Sequence, residues 1–356
     1  MFLEKEGKLI YSYDGETVCI EAWGKDALRV RATKNRSFTG RDWALEAKDA
    51  HAGEVEIFED PSAKGGAFAN MYEGTDTSYG KITNGKLHAV IDSGSVITFY
   101  HEDGRVLLKE HFRRLRDEES MPLNIMGREY SNGVGDNFRI VARFVARKGE
   151  KIFGMGQYQQ HELDLKGCML ELAQRNSQVS VPFYLSSIGY GFLWNNPGVG
   201  QVMFANNGTE WVTESGKEID YLVIAGDTPA EIEENYMTLT GKPPMMPEYG
   251  MGFWQCKLRY WNQEQLLSVA RKYKELGVPL DVIVVDFFHW TKQGEFKFDP
   301  KYWPDVPGMC RELKEMGIQV VVSVWPTVDI YSENFEEMKE KGNLVRTEHG
   351  VPLTML

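Results

Sequence analysis

The pattern of hydrophobic residues changes near residue 249, and this change limits the folds available to the chain. Before it, short runs of alternating polar and apolar residues are separated by turn sequences such as Asp92-Ser-Gly and Ser131-Asn-Gly. After it, near-continuous apolar runs such as Leu280–Asp286 are separated by amphipathic helical segments such as Gln263–Leu276. The first pattern favours an antiparallel β-sandwich, and the second is typical of a parallel sheet covered by helices.

A proline-rich segment at 241–247 separates the two patterns. It follows a predicted helix in which Thr228 is the N-cap and Pro229 occupies the first helical position. Because a proline-rich connector is stiff, it is a plausible domain boundary. We therefore expect an N-terminal antiparallel β-sandwich domain over residues 1–245 and an α/β domain over residues 246–356.

Two parallel-sheet architectures fit the second domain, a barrel and an open doubly wound sheet. A dinucleotide-binding sheet would need a glycine-rich loop after its first strand, but Lys257–Asn262 contains no glycine. The sequence therefore favours a (β/α)8 barrel, which needs about 250 residues. We expect residues 246–356 to supply about three βα units of a barrel truncated at its C-terminus. Its open apolar strand edge predicts self-association.

The net charge and the cysteine spacing limit the kinds of ligand and partner that the chain can bind. The 40 Lys and Arg residues against 52 Asp and Glu give a net charge of −12, which argues against nucleic acid and anionic membranes. No secretory signal and no apolar run of ~18 residues is visible, so we read the sequons at Asn35 and Asn207 as chance. The four cysteines lack metal-ligand spacing. We expect a cytoplasmic protein without a metal or cofactor.

Candidate site residues follow the predicted barrel strands, because barrels carry their functional groups at the C-terminal ends of strands. Asp286 ends the second strand, either as a ligand to substrate hydroxyls or as a structural cap or ion pair. The next residues do not begin a helix, which favours the ligand. Trp325 ends the third predicted strand, and it either stacks on a sugar or packs in the rim. A carboxylate beside aromatic rings suits carbohydrate.

Other polar and aromatic residues near these strands have plainer interpretations. At least two of the four residues in 287–290 are expected to be ordinary packing. The loop carboxylates are expected to be solvated or helix-capping rather than catalytic: Glu295, Asp299 and Asp305.

Several motifs occur in an order that resembles glycoside hydrolase family 31. In the first half they include Phe153-Gly-Met-Gly-Gln-Tyr and Gly189-Tyr-Gly-Phe-Leu-Trp, and in the second half Gly252-Phe-Trp-Gln-Cys-Lys and Ser323-Val-Trp-Pro. The resemblance runs from about residue 20 to the end. It implies a galactose-mutarotase-like sandwich followed by the first part of a (β/α)8 barrel.

The resemblance also implies an activity. Family members are retaining, exo-acting α-glycosidases that need no metal or organic cofactor, and the Gln-Cys-Lys and Val-Trp-Pro variants look most like α-xylosidases, with α-glucosidases as the alternative. Asp286, Phe287 and Trp325 match residues that bind the sugar next to the scissile bond, and the stretch after Gly156 matches a loop that reaches the pocket. Retention requires two carboxyl groups about 5–5.5 Å apart. The resemblance puts both beyond Leu356, so this chain alone is expected to be inactive.

Two other interpretations stay open at this point. The chain could be a non-catalytic carbohydrate-binding protein, although three barrel units would bury their apolar faces incompletely. It could also belong to a transglycosylase, which differs in its acceptor. The expected partner in each case is an oligosaccharide, and a homo-oligomer of the full-length enzyme is possible.

Overall fold

A computed structural model describes residues 1–59, 78–111, 113–115, 123–347 and 350–353. The chain forms two compact units, Met1–Pro243 and Pro244–Leu356. Each unit is described by itself below.

The described part of the first unit consists almost entirely of antiparallel strands. In chain order, β1 to β21 are Phe2–Lys5, Lys8–Tyr13, Glu16–Trp23, Ala27–Thr33, Ala50–His51, Glu54–Glu59, Ser78–Asn84, Leu87–Ile91, Ile97–His101, Val106–Lys109, Arg113–Leu115, Leu123–Ile125, Arg128–Asn132, Phe138–Phe144, Ile152–Gln157, Met169–Leu172, Val179–Ser186, Tyr190–Trp194, Gly200–Phe204, Thr209–Gly216 and Ile219–Ala225.

These strands form layered sheets. A nine-stranded sheet has the order β1-β2-β3-β4-β21-β18-β17-β15, with β5 paired to β3, and two five-stranded sheets have the orders β13-β14-β20-β19-β16 and β10-β9-β8-β7-β6. Aromatic side chains join the first two sheets: Phe192 of β18 stacks on Trp211 of β20 with ring centroids 5.1 Å apart. Both rings are fully buried. The expected antiparallel β-sandwich is confirmed.

One helix, α1 (Pro229–Thr240), follows the last strand of the first unit. The Thr228 side chain accepts a hydrogen bond from the Glu231 backbone N–H at 3.2 Å, and Pro229 lies at the helix start. Ile232 and Leu239 bury the apolar face of the helix in a cluster with Leu222 and other sheet residues. The helix predicted from the Thr228–Pro229 signal is confirmed.

The second unit is a parallel βα array. The strands β22 (Trp254–Cys256), β23 (Val282–Val285) and β24 (Gln319–Val322) pair side by side in that order, with β23 in the middle. The helices are α2 (Gln263–Glu275), α3 (Val306–Glu315) and α4 (Phe335–Glu340). The expected start of a (β/α)8 barrel is confirmed.

Local sequence explains where these elements begin. Asn262 caps α2 by accepting from the Gln265 N–H at 2.9 Å, and Asp305 caps α3 by accepting from the Gly308 N–H at 2.8 Å. Strand β23 is shorter than predicted from the apolar run Leu280–Asp286. At its start, the Asp281 carboxylate accepts from the Phe253 backbone N–H at 3.0 Å. Leu266, Ile283 and Leu313 share the core of this unit.

Candidate functional site

Asp286 lies directly after β23, the middle strand of the parallel sheet. Its Oδ1 accepts a hydrogen bond from the Phe287 backbone N–H at 2.8 Å, and its Oδ2 lies 3.8 Å from the Cys256 Sγ. The carboxylate caps no helix, because α3 begins twenty residues later at Val306. Within the described ranges, no Lys or Arg nitrogen lies within 4.0 Å of it. A half-buried carboxylate of this kind has capacity to accept further hydrogen bonds.

Three aromatic side chains follow the same two neighbouring strands, β23 and β24, and we call Phe287, Phe288 and Trp325 the aromatic wall. The rings of Phe287 and Trp325 stack at 25° with centroids 5.2 Å apart, and the Phe288 centroid lies 4.5 Å from that of Phe287. Trp325 is 41% exposed and Phe288 is 51% exposed. The structure thus brings Phe287 and Trp325 together and leaves apolar ring surface open to a ligand.

The backbone of Phe288 adopts a disfavoured conformation. Its φ of +63° lies in the left-handed region, which costs a non-glycine residue about 1–2 kcal/mol. Such strain clusters at functional sites, where the surrounding structure maintains it. The Arg259 guanidinium lies 4.9 Å from the Phe288 ring centroid and 3.8 Å from that of Trp261. These contacts come from the loop that follows β22.

His289 and Trp290 support the loop instead of lining it. His289 is 4% exposed and Trp290 9% exposed, so both are packing residues, as expected for at least two of the four. The His289 Nδ1 lies 3.1 Å from the Asp286 backbone oxygen. Burial lowers the pKa of His289, which favours the neutral ring. His289 therefore fixes the turn after Asp286 without adding charge.

The loop carboxylates divide into two groups. Asp305 caps α3, and Asp299 accepts the Lys301 N–H at 2.9 Å in a turn, as expected for structural groups. The expectation for Glu295 was wrong, because its side chain is 8% exposed and caps no helix. It is buried because the loop that holds it packs against the next one, where the Asn334 Nδ2 donates to the Gly294 oxygen at 2.7 Å.

Sequence reasoning missed the contribution of β22 and its loop. Cys256 and Arg259 reach Asp286 and the aromatic wall because the C-terminal ends of parallel strands share one edge. That rule, applied to the short apolar run ending at Cys256, could have found them. Among the residues that the structure describes, no group of three or more His, Cys, Asp or Glu could hold a metal ion. No described helix is long and apolar enough to span a membrane.

Two sequence-family models match the chain. The galactose mutarotase-like N-terminal domain of glycosyl hydrolase family 31 matches residues 17–202, and the family 31 TIM-barrel domain matches residues 243–355. The chain belongs to glycoside hydrolase family 31. The stretch after Gly156 lies in the first unit, and its contribution to the pocket stays a prediction.

Three relatives of this family 31 chain are named either as a glucosidase or as an α-xylosidase. It is 42% identical to an uncharacterized family 31 glucosidase of Pseudescherichia vulneris, covering 99% of this chain and 65% of the relative. It is 36% identical to an α-xylosidase of Saccharolobus solfataricus, covering 58% of this chain and 30% of that one. The structure of a soil-metagenome family 31 α-xylosidase complexed with xylose is similar at a TM-score of 0.86 and 46% identity, covering 100% of this chain and 51% of that one. The chain thus spans two thirds or less of these relatives.

Proposed function

We propose that this chain supplies the sugar-binding part of the active site of a retaining, exo-acting α-glycosidase that removes terminal α-linked xylose from oligosaccharides. The observation that carries the proposal is the Asp286 carboxylate standing beside the stacked Phe287 and Trp325 rings at the C-terminal edge of the barrel strands. Support for xylose comes from the α-xylosidases among the relatives and from the similar structure that holds xylose.

The chemistry of a pyranose suits these groups. Sugar C–H faces are apolar and stack on aromatic rings, while the hydroxyls need strong hydrogen-bond partners. The Asp286 carboxylate accepts from sugar hydroxyls through charge-assisted hydrogen bonds, which are about twice as strong as neutral ones. Because Phe288 and Trp325 are partly exposed, a ring can enter beside them. Hydrogen bonds that strengthen as the sugar approaches an oxocarbenium-like state would lower the barrier.

The bond-breaking groups are a separate part of the proposal. A retaining mechanism uses one carboxylate as nucleophile and a second carboxyl group as acid and then base. We assign neither to a residue of this chain and propose that both lie outside its 356 residues, so that the chain alone does not hydrolyse glycosides. Its matched relatives are longer than the chain, which supports this division.

An α-glucosidase is the second candidate, because a relative at 42% identity is named as a family 31 glucosidase. The two activities differ in whether the pocket accepts the C6 hydroxymethyl group. A group of that size changes selectivity by only about 1–3 kcal/mol in an apolar pocket.

We also propose a cytoplasmic location for the protein and an oligosaccharide as its substrate.

The test uses the protein expressed from its whole reading frame and assayed on aryl α-xyloside and aryl α-glucoside. Asp286→Ala should lower kcat/KM by about 100-fold, because a hydrogen bond to a charged group contributes ~1.5–3 kcal/mol and Asp286 would bind sugar hydroxyls. The matched control is Asp299→Ala, which removes a carboxylate that likewise accepts one backbone N–H. That variant should retain near wild-type kcat/KM.

Two outcomes separate the candidate activities, and a third tests the role of Asp286. Faster cleavage of the α-xyloside supports the first proposal, and faster cleavage of the α-glucoside replaces it with the second. If Asp286→Ala keeps wild-type kcat/KM on both substrates, the sugar-binding role of Asp286 is wrong.

A further inference from the structure

Trp43, in the first unit, presents an exposed indole on a strained backbone. Its φ is +53° and 48% of its surface is exposed. A left-handed conformation at a bulky residue is a genuine outlier that persists only where neighbouring groups enforce it. The ring lies outside the hydrophobic clusters of the described residues. Core packing therefore does not account for a tryptophan at this position.

A buried ionic network holds the residues on either side of Trp43. The Arg29 guanidinium donates to Asp42 Oδ1 at 2.7 Å and to both Asp220 oxygens at 3.0 and 2.7 Å. The Asn195 amide donates to the Asp42 backbone oxygen at 3.1 Å and accepts from the Ala44 N–H at 3.2 Å. Arg29 and Asp220 are fully buried. The backbone is thus fixed on both sides of the indole, and the Arg41 guanidinium lies 6.0 Å from the centroid of the indole ring.

The indole lies between two clefts of the first unit. One cleft, of about 730 Å³, has amide and guanidinium groups in its lining, from Arg36, Asn137 and Asn196. The other, of about 680 Å³, is lined largely by apolar side chains, including Leu193 and Tyr236. Trp43 lines both clefts. A ligand resting on the ring would therefore meet hydrogen-bonding groups on one side and apolar surface on the other.

The charges that line the polar cleft are only partly paired, because the Arg36 and Arg41 guanidinium groups have no carboxylate oxygen within 4.0 Å among the described residues. The Lys217 ammonium lies 2.7 Å from the Asp136 carboxylate, and the Glu218 carboxylate accepts from the Thr39 N–H at 2.9 Å and from the Thr39 hydroxyl at 2.8 Å. A flat aromatic face with amide and guanidinium donors suits a polyhydroxylated ligand such as a saccharide, which has apolar faces and polar edges.

We propose that Trp43 is the stacking platform of a second carbohydrate-binding site, built on the sandwich and separate in the chain from the Asp286 site. The choice of carbohydrate as the ligand class rests on the proposed function, whereas the site itself rests on the conformation and surroundings of Trp43. A second site on the same molecule raises the effective concentration of a long saccharide at the first.

Binding to the 356-residue chain tests this proposal. The probe is a β-glucan with α-xylosyl side chains, cast into native polyacrylamide gels at increasing concentration. The retardation of the protein's migration at each concentration gives a dissociation constant. Trp43→Ala should weaken binding by about tenfold, the loss expected when a stacked aromatic anchor is truncated. Trp43→Phe should lose less. The control Tyr13→Ala removes another exposed aromatic of the same unit, 45% exposed, and should bind as wild type.

Repeating the series in an Asp286→Ala background separates the two sites. The proposal requires Trp43→Ala to weaken binding in both backgrounds. Wild-type retardation of Trp43→Ala in both backgrounds overturns it and leaves the Asp286 site untouched. If Asp286→Ala changes nothing while Trp43→Ala abolishes retardation, the second site stands and the proposed role of Asp286 fails.

Discussion

The two units differ in how they pair the charged side chains that they bury. In the first unit, the ion pairs Arg29–Asp220 and Arg128–Glu110 are buried inside the sandwich, and each guanidinium donates several hydrogen bonds. In the second unit, the pair Arg271–Glu312 lies on the surface between two helices. Burying a paired charge is costly unless its hydrogen bonds are satisfied. The sandwich therefore buries closely hydrogen-bonded pairs, whereas the buried Glu295 carboxylate of the barrel unit lies 4.0 Å from the Lys292 and Lys297 nitrogens.

Apolar surface shows the complementary difference. The central strand β21 of the sandwich is buried along its whole length. By contrast, the outer strand β22 of the parallel sheet exposes Trp254 at 44%, and Val324, just after β24, is 55% exposed. Unpaired edges of a parallel sheet are sites for further pairing. The first unit therefore covers its central strand on both faces, whereas the three-stranded sheet of the second unit leaves apolar residues exposed at or just beyond its outer strands.

The largest effect should come from breaking the buried pair of the sandwich. Arg29→Met leaves Asp220 buried without its cation, which should lower the free energy of unfolding by about 3–5 kcal/mol. Urea denaturation followed by near-ultraviolet circular dichroism measures this. The control Arg271→Met breaks an exposed pair and should cost at most about 1 kcal/mol. Equal losses from the two variants would contradict the comparison between the units.

The same variant has a defined pH dependence. Burial raises the pKa of Asp220 to about 6, while the hydrogen bonds from Arg29 and Asn195 oppose that rise. Removing Arg29 should raise this pKa further. A raised pKa in the folded state stabilises the protein below the unfolded value, and this stabilisation disappears as pH rises through the folded value. Arg29→Met should therefore lose more stability at pH 8 than at pH 5.

The exposed edge of the barrel unit should produce an intermediate effect. Self-association of the chain through its parallel sheet should weaken by about tenfold in Trp254→Lys, because a charge on an outer strand opposes edge pairing. Sedimentation velocity over a range of concentrations measures the association constant. Leu276→Lys places the same charge on an exposed apolar position at the end of α2, 62% exposed, and should leave association unchanged. A monomeric wild-type chain would show that the edge is already protected.

The sequence allowed prediction of features that depend on neighbours in the chain. Turn signals and period-two runs predicted the sandwich, and the apolar run ending at Asp286 predicted a carboxylate at the edge of the parallel sheet. The Asp305 cap also follows from adjacent residues, because the three-residue spacing to Gly308 is local. Strand, turn and capping preferences are short-range effects, so one sequence contains them.

Long-range partners could not be predicted in this way. Arg29 and Asp220 are 191 positions apart, and no periodicity relates them. The burial of Glu295 depends on a loop about forty residues further on, which holds Gly294 through Asn334. The contact between Cys256 and Asp286 needed the strand pairing that joins β22 to β23. Each of these features is set by topology, which local patterns specify only in outline.

The smallest expected effect concerns the contact between Cys256 and Asp286, and it tests the charge of the Asp286 carboxylate directly. Desolvation by neighbouring groups and the Asp286 carboxylate raise the pKa of the Cys256 thiol. Asp286→Asn removes the charge, so the thiol pKa should fall and the thiolate fraction at pH 7.5 should rise. Because the thiolate is the reactive form, alkylation of Cys256 by iodoacetamide should accelerate about two- to fivefold. Peptide mass spectrometry over a time course measures the rate.

Cys310 provides an internal control, because it is also an exposed cysteine of the second unit. Its alkylation rate should be the same in wild type and Asp286→Asn, so a change at Cys256 alone reports the local carboxylate and not a loosened fold. Methyl α-xyloside should act in the opposite direction on the wild-type chain, since a sugar bound to Asp286 shields the thiol 3.8 Å away. Identical Cys256 rates in wild type and Asp286→Asn would mean that the carboxylate does not influence the thiol, and the electrostatic account of this edge would be wrong.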